Sequence, residues 1–581
     1  MHQKKAVQIS WLPEPGFGRA AFLALAILLL ALKITAVLHF RADSDEPQHA
    51  HVVWGWATGQ LQYRDLFDNH MPLFQMALAP LFKALGERAD ILIPLRLAML
   101  PLYFACLWCV YRLAEILFSR QAAPWAALCA GCLPRFFYTS TEFRTDDLWA
   151  ALWLLSLVVA VSGKFTFKRA FAFGLVLGLA FAVSLKTVIL GTALGAAVVI
   201  GLGLGVLSGE RIAWGRLPVY LAAILAGTAI APGLTVLYFA SKGAFWIMYY
   251  CVVAHNIVPG VKGVGRLTLH RWYFPGSIPF LAAFGYLIHR QAKTAGASGL
   301  RRVIIVLTPC IYYIFLFSYW PNVTREDDLP YFPLLPLAAI PLVLLFQYIR
   351  PSPGRDRVFW SGVLPAVCLL ELISVWGMHN LRENRLRVII DSISDVLKLT
   401  KPGDYVMDAK SGYIFRPRAY YWVLEPMTKA RMHLGVIRDD IPERLEKTDT
   451  KLCYFYSAYA GTRDAAFILA NYLPVDPKTI DIGVAGKVIG DAPSGGTFGF
   501  DVAIPARYAV FTETGEVAGQ LDGRTYSGPV DLSAGHHEFR RTAGAGKAGI
   551  ILAEAIAKGF HPQLDAFALL TAKLTKGKQP D

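Results

Sequence analysis

The hydropathy profile leaves this chain few ways to fold. Apolar runs recur at 18–38, 91–118, 123–140, 147–163, 170–187, 188–207, 217–240, 273–289, 303–319, 331–349 and 358–378. Most approach the roughly 20 residues that cross the hydrocarbon core of a bilayer. With 55% hydrophobic residues, 17% charged residues and a mean hydropathy of +0.43, the composition excludes an ordinary soluble enzyme. A polytopic α-helical membrane protein is predicted. The stretch 170–207 can be divided in more than one way, so the span count is about eleven.

Basic residues alternate between the connecting loops, as expected when cytoplasmic loops hold the Lys and Arg. They fall at Lys4 and Lys5, Arg120, Lys164 to Arg169, Arg211 and Arg216, Arg290 to Arg302, and Arg350 to Arg357. The N-terminus is therefore placed in the cytoplasm, and everything after about residue 379 outside it. No small-residue cleavage site flanks the first run, which reads as a retained span. The net charge of +15 largely sets topology, so no nucleic-acid partner is expected, while a phosphate-bearing membrane substrate fits.

Two CxxC pairs, Cys106 with Cys109 and Cys129 with Cys132, lie inside apolar runs, where cysteine behaves as a small hydrophobe. Cys453 is the one cysteine of the outer C-terminal region, so no disulfide framework is expected there. GLGLG at 201–205 lacks the strand and soluble helix of a dinucleotide site and reads as close helix packing.

The chemistry-bearing residues gather on the outer side. The first outer loop, 39–90, contains Asp43, Asp45, Glu46, His49, His51, Asp68, Asn69 and His70. A helix is predicted over 46–58, with Pro47 in its first turn and Asp45 near its cap, where the positive helix end favours an ionised carboxylate. Glu142, Arg144, Asp146 and Asp147 stand at the next outer return, in TEFRTDDLW, and Lys186 lies near the outer end of a span, in SLKTV. The loop 241–272 adds His255 and Arg266, and Tyr331 opens a proline-punctuated helix, YFPLLPL. Any one of these cations can be read as snorkelling to the interface. Several cations with several carboxylates on one side fit a site that holds a phosphate and removes a proton.

The acid pair Asp45–Glu46, followed by FDNHMPL at 67–73, resembles the first-loop signature of the polyprenyl-phosphate-dependent glycosyltransferases of the GT-C superfamily. FDNHMPL is similar to an FDxHPPL-like element of the protein O-mannosyltransferases and to a KPPL element of the lipid A aminoarabinose transferases. RTDDLWAALWLLS, SLKTV and DLPYFPLLPL resemble further elements of these families, in order, over residues 15–380. Met71 stands where the first proline of the mannosyltransferase element is usual, and Gln75 where a lysine often follows.

The resemblance implies a GT-C type transmembrane catalytic domain over 1–378. It also implies transfer of a sugar from a polyprenyl-phosphate donor, with inversion, on the outer face of a bacterial-type inner membrane. Asp45 is then expected to serve as base, with Glu46 orienting it. Arg144, Lys186, His255, Arg266 and Tyr331 would bind the donor's phosphate or sugar, and Asp68, His70, Asp146 and Asp147 would shape the loops or touch substrate. The acceptor would be a protein, a glycolipid or a cell-envelope glycan. No cofactor is expected. A divalent metal is not favoured, its weak candidates being Glu46 and His49, which share a helix face.

The region after 378 changes character. Residues 379–490 read as a small extracytoplasmic α/β domain, with helices at RVIIDSISDVLKL and IPERLEK and strands at GDYVMDA and KLCYFY. Residues 491–581 read as a β-rich, sandwich-like accessory domain. Two other functions fit parts of the pattern: a transporter or flippase for a lipid-linked sugar, and an inactive glycan-binding scaffold. Transporters place ionisable residues near the bilayer midplane and often carry repeats. Here the polar residues cluster in the outer loops, and the intact acid pair argues against the scaffold.

Overall fold

The computed structural model describes residues 13, 16–118, 120–207, 212–257, 297–312, 332–349, 359–455, 463–475, 481–491, 495–513, 515, 517–543 and 546–575. The helices that matter here begin with α1 (Phe17–His39), α2 (Asp45–Ala57), α3 (Leu73–Leu85), α4 (Leu92–Leu97) and α5 (Leu100–Leu117). They continue with α6 (Ala122–Cys132), α7 (Pro134–Thr139), α8 (Thr145–Val161), α9 (Phe167–Val183), α10 (Thr187–Leu207) and α11 (Leu217–Ser241). After a short helix α12 (Phe245–Tyr249) come α13 (Ala297–Ile311), α14 (Leu335–Ile349), α15 (Leu364–Met378) and α16 (Arg387–Leu399). The chain divides into two units: Met1–Ala42 with Asn69–Leu78 and Ile93–Leu386, and Asp43–Asp68 with Ala79–Leu92 and Arg387–Asp581.

The first unit is helical. Among the described residues, five stretches are long and apolar enough to cross a membrane: Phe17–His39, Leu92–Leu117, Thr187–Leu207, Trp214–Ser241 and Trp360–Met378. The sequence predicts about eleven, and the difference has identifiable sources. The run 123–140 is broken where Leu133 turns extended before Pro134, because proline disfavours a helical residue ahead of it. The helices α8 and α9 are 17 residues each, and the run 273–289 lies outside the described residues.

Small residues let these helices approach closely. A Cβ on Gly174 of α9 would stand 2.1 Å from the Ile224 carbonyl oxygen of α11, and one on Gly178 would stand 2.5 Å from that of Thr228. In α10, Gly201 of the GLGLG run is packed under Ile304 of α13, where a Cβ would meet it at 2.7 Å. At the C-terminal end of α1, the buried guanidinium of Arg96 donates to the carbonyls of Phe40 (2.8 Å), Arg41 (2.9 Å) and Val37 (3.3 Å). The last carbonyls of a helix have no partner within it, and Arg96 supplies one.

The second unit is built on two sheets. Its strands are β1 (Val406–Met407), β2 (Leu452–Tyr454), β3 (Tyr472–Pro474), β4 (Ile482–Asp491), β5 (Thr497–Val502) and β6 (Ala506–Thr512). Then follow β7 (Ala518–Leu521), β8 (Arg524–Thr525), β9 (Val530–Leu532), β10 (Gly535–Ala543) and β11 (Lys547–Leu552). A seven-stranded sheet has the order β1-β2-β4-β11-β6-β9 with β3 also on β4, and a four-stranded sheet has the order β5-β10-β7-β8. Alternation along β5 turns Phe498, Phe500 and Val502 inward, where they join Tyr508, Val510 and Ile550 of the larger sheet in one core. Because β4 pairs with β11, the expected boundary at 490 falls within a single sheet. The helices predicted at RVIIDSISDVLKL and IPERLEK form at Arg387–Leu399 and Ile441–Lys447, and the strands predicted at GDYVMDA and KLCYFY form as β1 and β2.

Candidate active site

In the second unit the acid pair sits at the start of α2. The backbone N–H of Asp45 donates to Asp43 Oδ1 (3.0 Å), and that of Asp43 donates to Glu46 Oε1 (3.1 Å). These carboxylates therefore occupy the positive end of the helix and bind the loop's own amides. Their surroundings differ. Glu46 is fully buried, whereas the Asp45 side chain remains 28% exposed. Only Asp45 of the pair offers a carboxylate to an incoming molecule; Glu46 fixes the turn that presents it.

Sequence reasoning missed one partner of Asp45. Lys410 Nζ donates to Asp45 Oδ1 at 2.5 Å and to Ser44 Oγ at 2.9 Å. Nothing in DAKSG marks this lysine, since the contact depends on a fold that joins residues 365 apart.

Asp68 is fully buried and accepts from Gln62 Nε2 (2.7 Å), while Gln62 Oε1 accepts from the Trp56 indole (2.8 Å). This chain of bonds ties Asp68 to α2. His51 stacks on Trp54, and its Nδ1 lies 3.0 Å from the Ile414 carbonyl oxygen. Burial, with the nearby Arg418 charge, pushes the pKa of His51 down to about 4, so the ring is neutral at pH 7 and Nδ1–H donates. His49 is fully buried in the same helix. Among the described residues, no three His, Cys, Asp or Glu side chains stand together to hold a metal ion.

In the first unit the chain between α7 and α8 carries the second cluster. Arg144 is 5% exposed and stands 3.5 Å from both Glu142 Oε2 and Asp146 Oδ2. Asp146 in turn accepts from Lys186 Nζ at 3.2 Å. His70 is also within the electrostatic surroundings of Asp146. The sequence-predicted Arg144, Asp146, Lys186 and His70 thus come together. Lys186 keeps 33% of its side chain exposed and is the accessible cation of the group.

Asn256 Nδ2 donates to the Asn69 carbonyl (3.1 Å), and Asn69 Nδ2 donates to Asn256 Oδ1 (3.2 Å). This exchange fixes the segment of buried His255 against that of His70. Asp147 points inward and is almost fully buried, with Lys33, Asp146, Glu142 and Arg144 as its charged neighbours. Lys33, in the middle of α1, donates to the Phe137 carbonyl (2.7 Å), Ser140 Oγ (2.8 Å) and Thr141 Oγ1 (2.9 Å). It thereby pins the broken helix that delivers Glu142 and Arg144. A lysine within the first apolar run was the signal that could have revealed it. Arg266 and Tyr331 lie outside the described residues.

Comparison with known proteins bears on the fold. Residues 70–235 match the family model described as dolichyl-phosphate-mannose-protein mannosyltransferase. The fold is similar to that of ArnT from Cupriavidus metallidurans bound to undecaprenyl phosphate, with 12% identity and a TM-score of 0.53. The match covers 80% of this chain and 97% of that one. ArnT in the apo state matches at 13% identity, with the same TM-score of 0.53 and the same coverage. No curated protein matches by sequence. The chain is a multi-pass membrane protein with the fold of the GT-C glycosyltransferases, and the resemblance drawn from its motifs is borne out.

Proposed function

We propose that the protein is an inverting glycosyltransferase that moves a sugar from a polyprenyl-phosphate donor to a hydroxyl-bearing acceptor on the outer face of a bacterial inner membrane. The observation that carries the reading is the contrast within the acid pair: Glu46 is sealed in the turn, while Asp45 stays partly exposed and ionically paired. A lipid-linked sugar phosphate has an activated anomeric carbon, because the departing phosphate is a stable anion. The enzyme must supply a base for the acceptor and cations for the leaving group.

In this reading Asp45 takes the acceptor's hydroxyl proton as the acceptor oxygen bonds to the anomeric carbon. The bond from that carbon to the phosphate oxygen breaks in the same displacement, which inverts the centre and releases the polyprenyl phosphate. Arg144 and Lys186 stabilise its charge, Arg as a planar fork and Lys as a compact point charge. Glu142 and Asp146 hold both cations in place beforehand. ArnT, whose fold the chain shares, is known bound to undecaprenyl phosphate, which supports a lipid carrier of this class. The acceptor is a protein, a glycolipid or an envelope glycan.

The test follows radiolabelled sugar from native polyprenyl-phosphate donors in vesicles that contain the purified protein and candidate acceptors. The reading expects label covalently attached to an acceptor, with the opposite anomeric configuration. Label that only crosses the bilayer on its original lipid would identify a transporter instead.

A further inference from the structure

The turn that carries Lys410 is built to hold it still. The fully buried Asp408 carboxylate accepts from the backbone N–H groups of Ser411 (2.9 Å) and Gly412 (2.8 Å) and from the Ser411 hydroxyl (2.7 Å). Arg418 stands 3.4 Å from the same carboxylate and donates to the carbonyls of Asp408 and Ala409, both at 3.1 Å. A turn with its polar groups satisfied in this way fixes the lysine's main chain. From it the ammonium reaches Asp45, and the two side chains are 21% and 28% exposed. The pair is neither sealed in the core nor loose in solvent.

The charges facing Asp45 are unequal. Among the described residues, Asp43 and Glu46 flank Asp45 in its own segment, and Lys410 contacts it from the turn after β1, which Asp408 and Arg418 brace. Neighbouring carboxylates favour a neutral acid, whereas an ammonium in contact favours the anion.

We propose that Lys410 is a positioning residue for sugar transfer, which aims the Asp45 carboxylate and keeps it ionised although Asp43 and Glu46 lie beside it. This rests on the reading of Asp45 as the base. The C-terminal region then contributes to the site, because an ammonium from it contacts the carboxylate of the proposed base. Lys410 itself touches no reacting atom; its effect passes through Asp45.

The experiment uses the full-length protein in vesicles, as wild type, Lys410→Met and Lys410→Arg. Transfer from a native pool of radiolabelled polyprenyl-phosphate sugars is followed across acidic and neutral pH. The Asp45 carboxyl is titrated separately by the infrared difference between each protein and its Asp45→Asn counterpart. In Lys410→Met both the acid limb of the rate and the carboxyl titration are expected to move up by about one pH unit or more, and Lys410→Arg should restore both. Transfer on the neutral plateau should fall as well, since the carboxylate loses the contact that aims it, and Lys410→Arg should restore it. An unmoved acid limb and titration would overturn the proposal. So would a loss that is uniform across pH and not rescued by arginine, since that marks a merely structural role. If wild type transfers no sugar, the functional reading falls on its own account. An Asp45 titration that still ignores Lys410 would then overturn the pairing as well.

Discussion

Lys186, at the start of α10, donates to Asp146 in the first turn of α8, with 3.2 Å between Nζ and Oδ1. The same carboxylate stands 3.5 Å from Arg144, so one acid holds two cations. If these cations receive the donor's phosphate, Lys186→Met should raise the KM for the lipid donor about tenfold or more while altering kcat less. Asp146→Ala should instead lower stability by about 2 kcal/mol. That is less than for a fully sealed pair, because Lys186 is one-third exposed and Glu142 still faces Arg144. Donor titration of the rate and thermal unfolding in detergent distinguish the two effects.

Lys33 joins α1 to the break between α7 and α8 through three hydrogen bonds, to Phe137, Ser140 and Thr141. Its ammonium also lies 4.2 Å from the ring centroid of Tyr103. Lys33→Met leaves the carbonyl and hydroxyls without their charged donor and should cost about 2–3 kcal/mol. Transfer should fall with it, because the same segment leads into Glu142 and Arg144. Thermal unfolding of the variant measures the first effect, and the rate at saturating donor measures the second.

Acid should weaken the unit that contains His51. Burial and the Arg418 charge hold its pKa near 4 in the folded protein, against an ordinary 6.5. The unfolded chain therefore binds the proton first as pH falls, and the stability His51 contributes is present above about 6.5 and lost toward 4. By pH 5 the loss should reach about 2 kcal/mol. His51→Gln should flatten this part of the pH dependence, which unfolding at pH 7 and pH 5 would reveal.

Local pattern made much of the site legible. The acid pair at a helix start, the RTDD return and Lys186 stand out because charged residues beside apolar runs need a reason to be there. Pro134 also announced the break in the run 123–140, although hydropathy alone passed over it. What stayed hidden depends on contacts between distant segments. Lys410 meets Asp45 only after the C-terminal chain has folded against the segment that follows α1. Arg96 looks like an ordinary basic residue until it is seen donating to the carbonyls of Phe40 and Arg41, just past the end of α1. Period-two alternation identified the strands, but it could not say that β4 and β11 would pair across the expected boundary at 490.

The most direct test of the account compares wild type with Asp45→Asn in purified, reconstituted protein. Binding of the polyprenyl-phosphate donor and single-turnover transfer of its sugar would be measured on the same samples. The account predicts that Asp45→Asn still binds donor but transfers sugar at least about a hundredfold more slowly, since a positioned general base contributes on that order. Transfer at the wild-type rate by Asp45→Asn would contradict it.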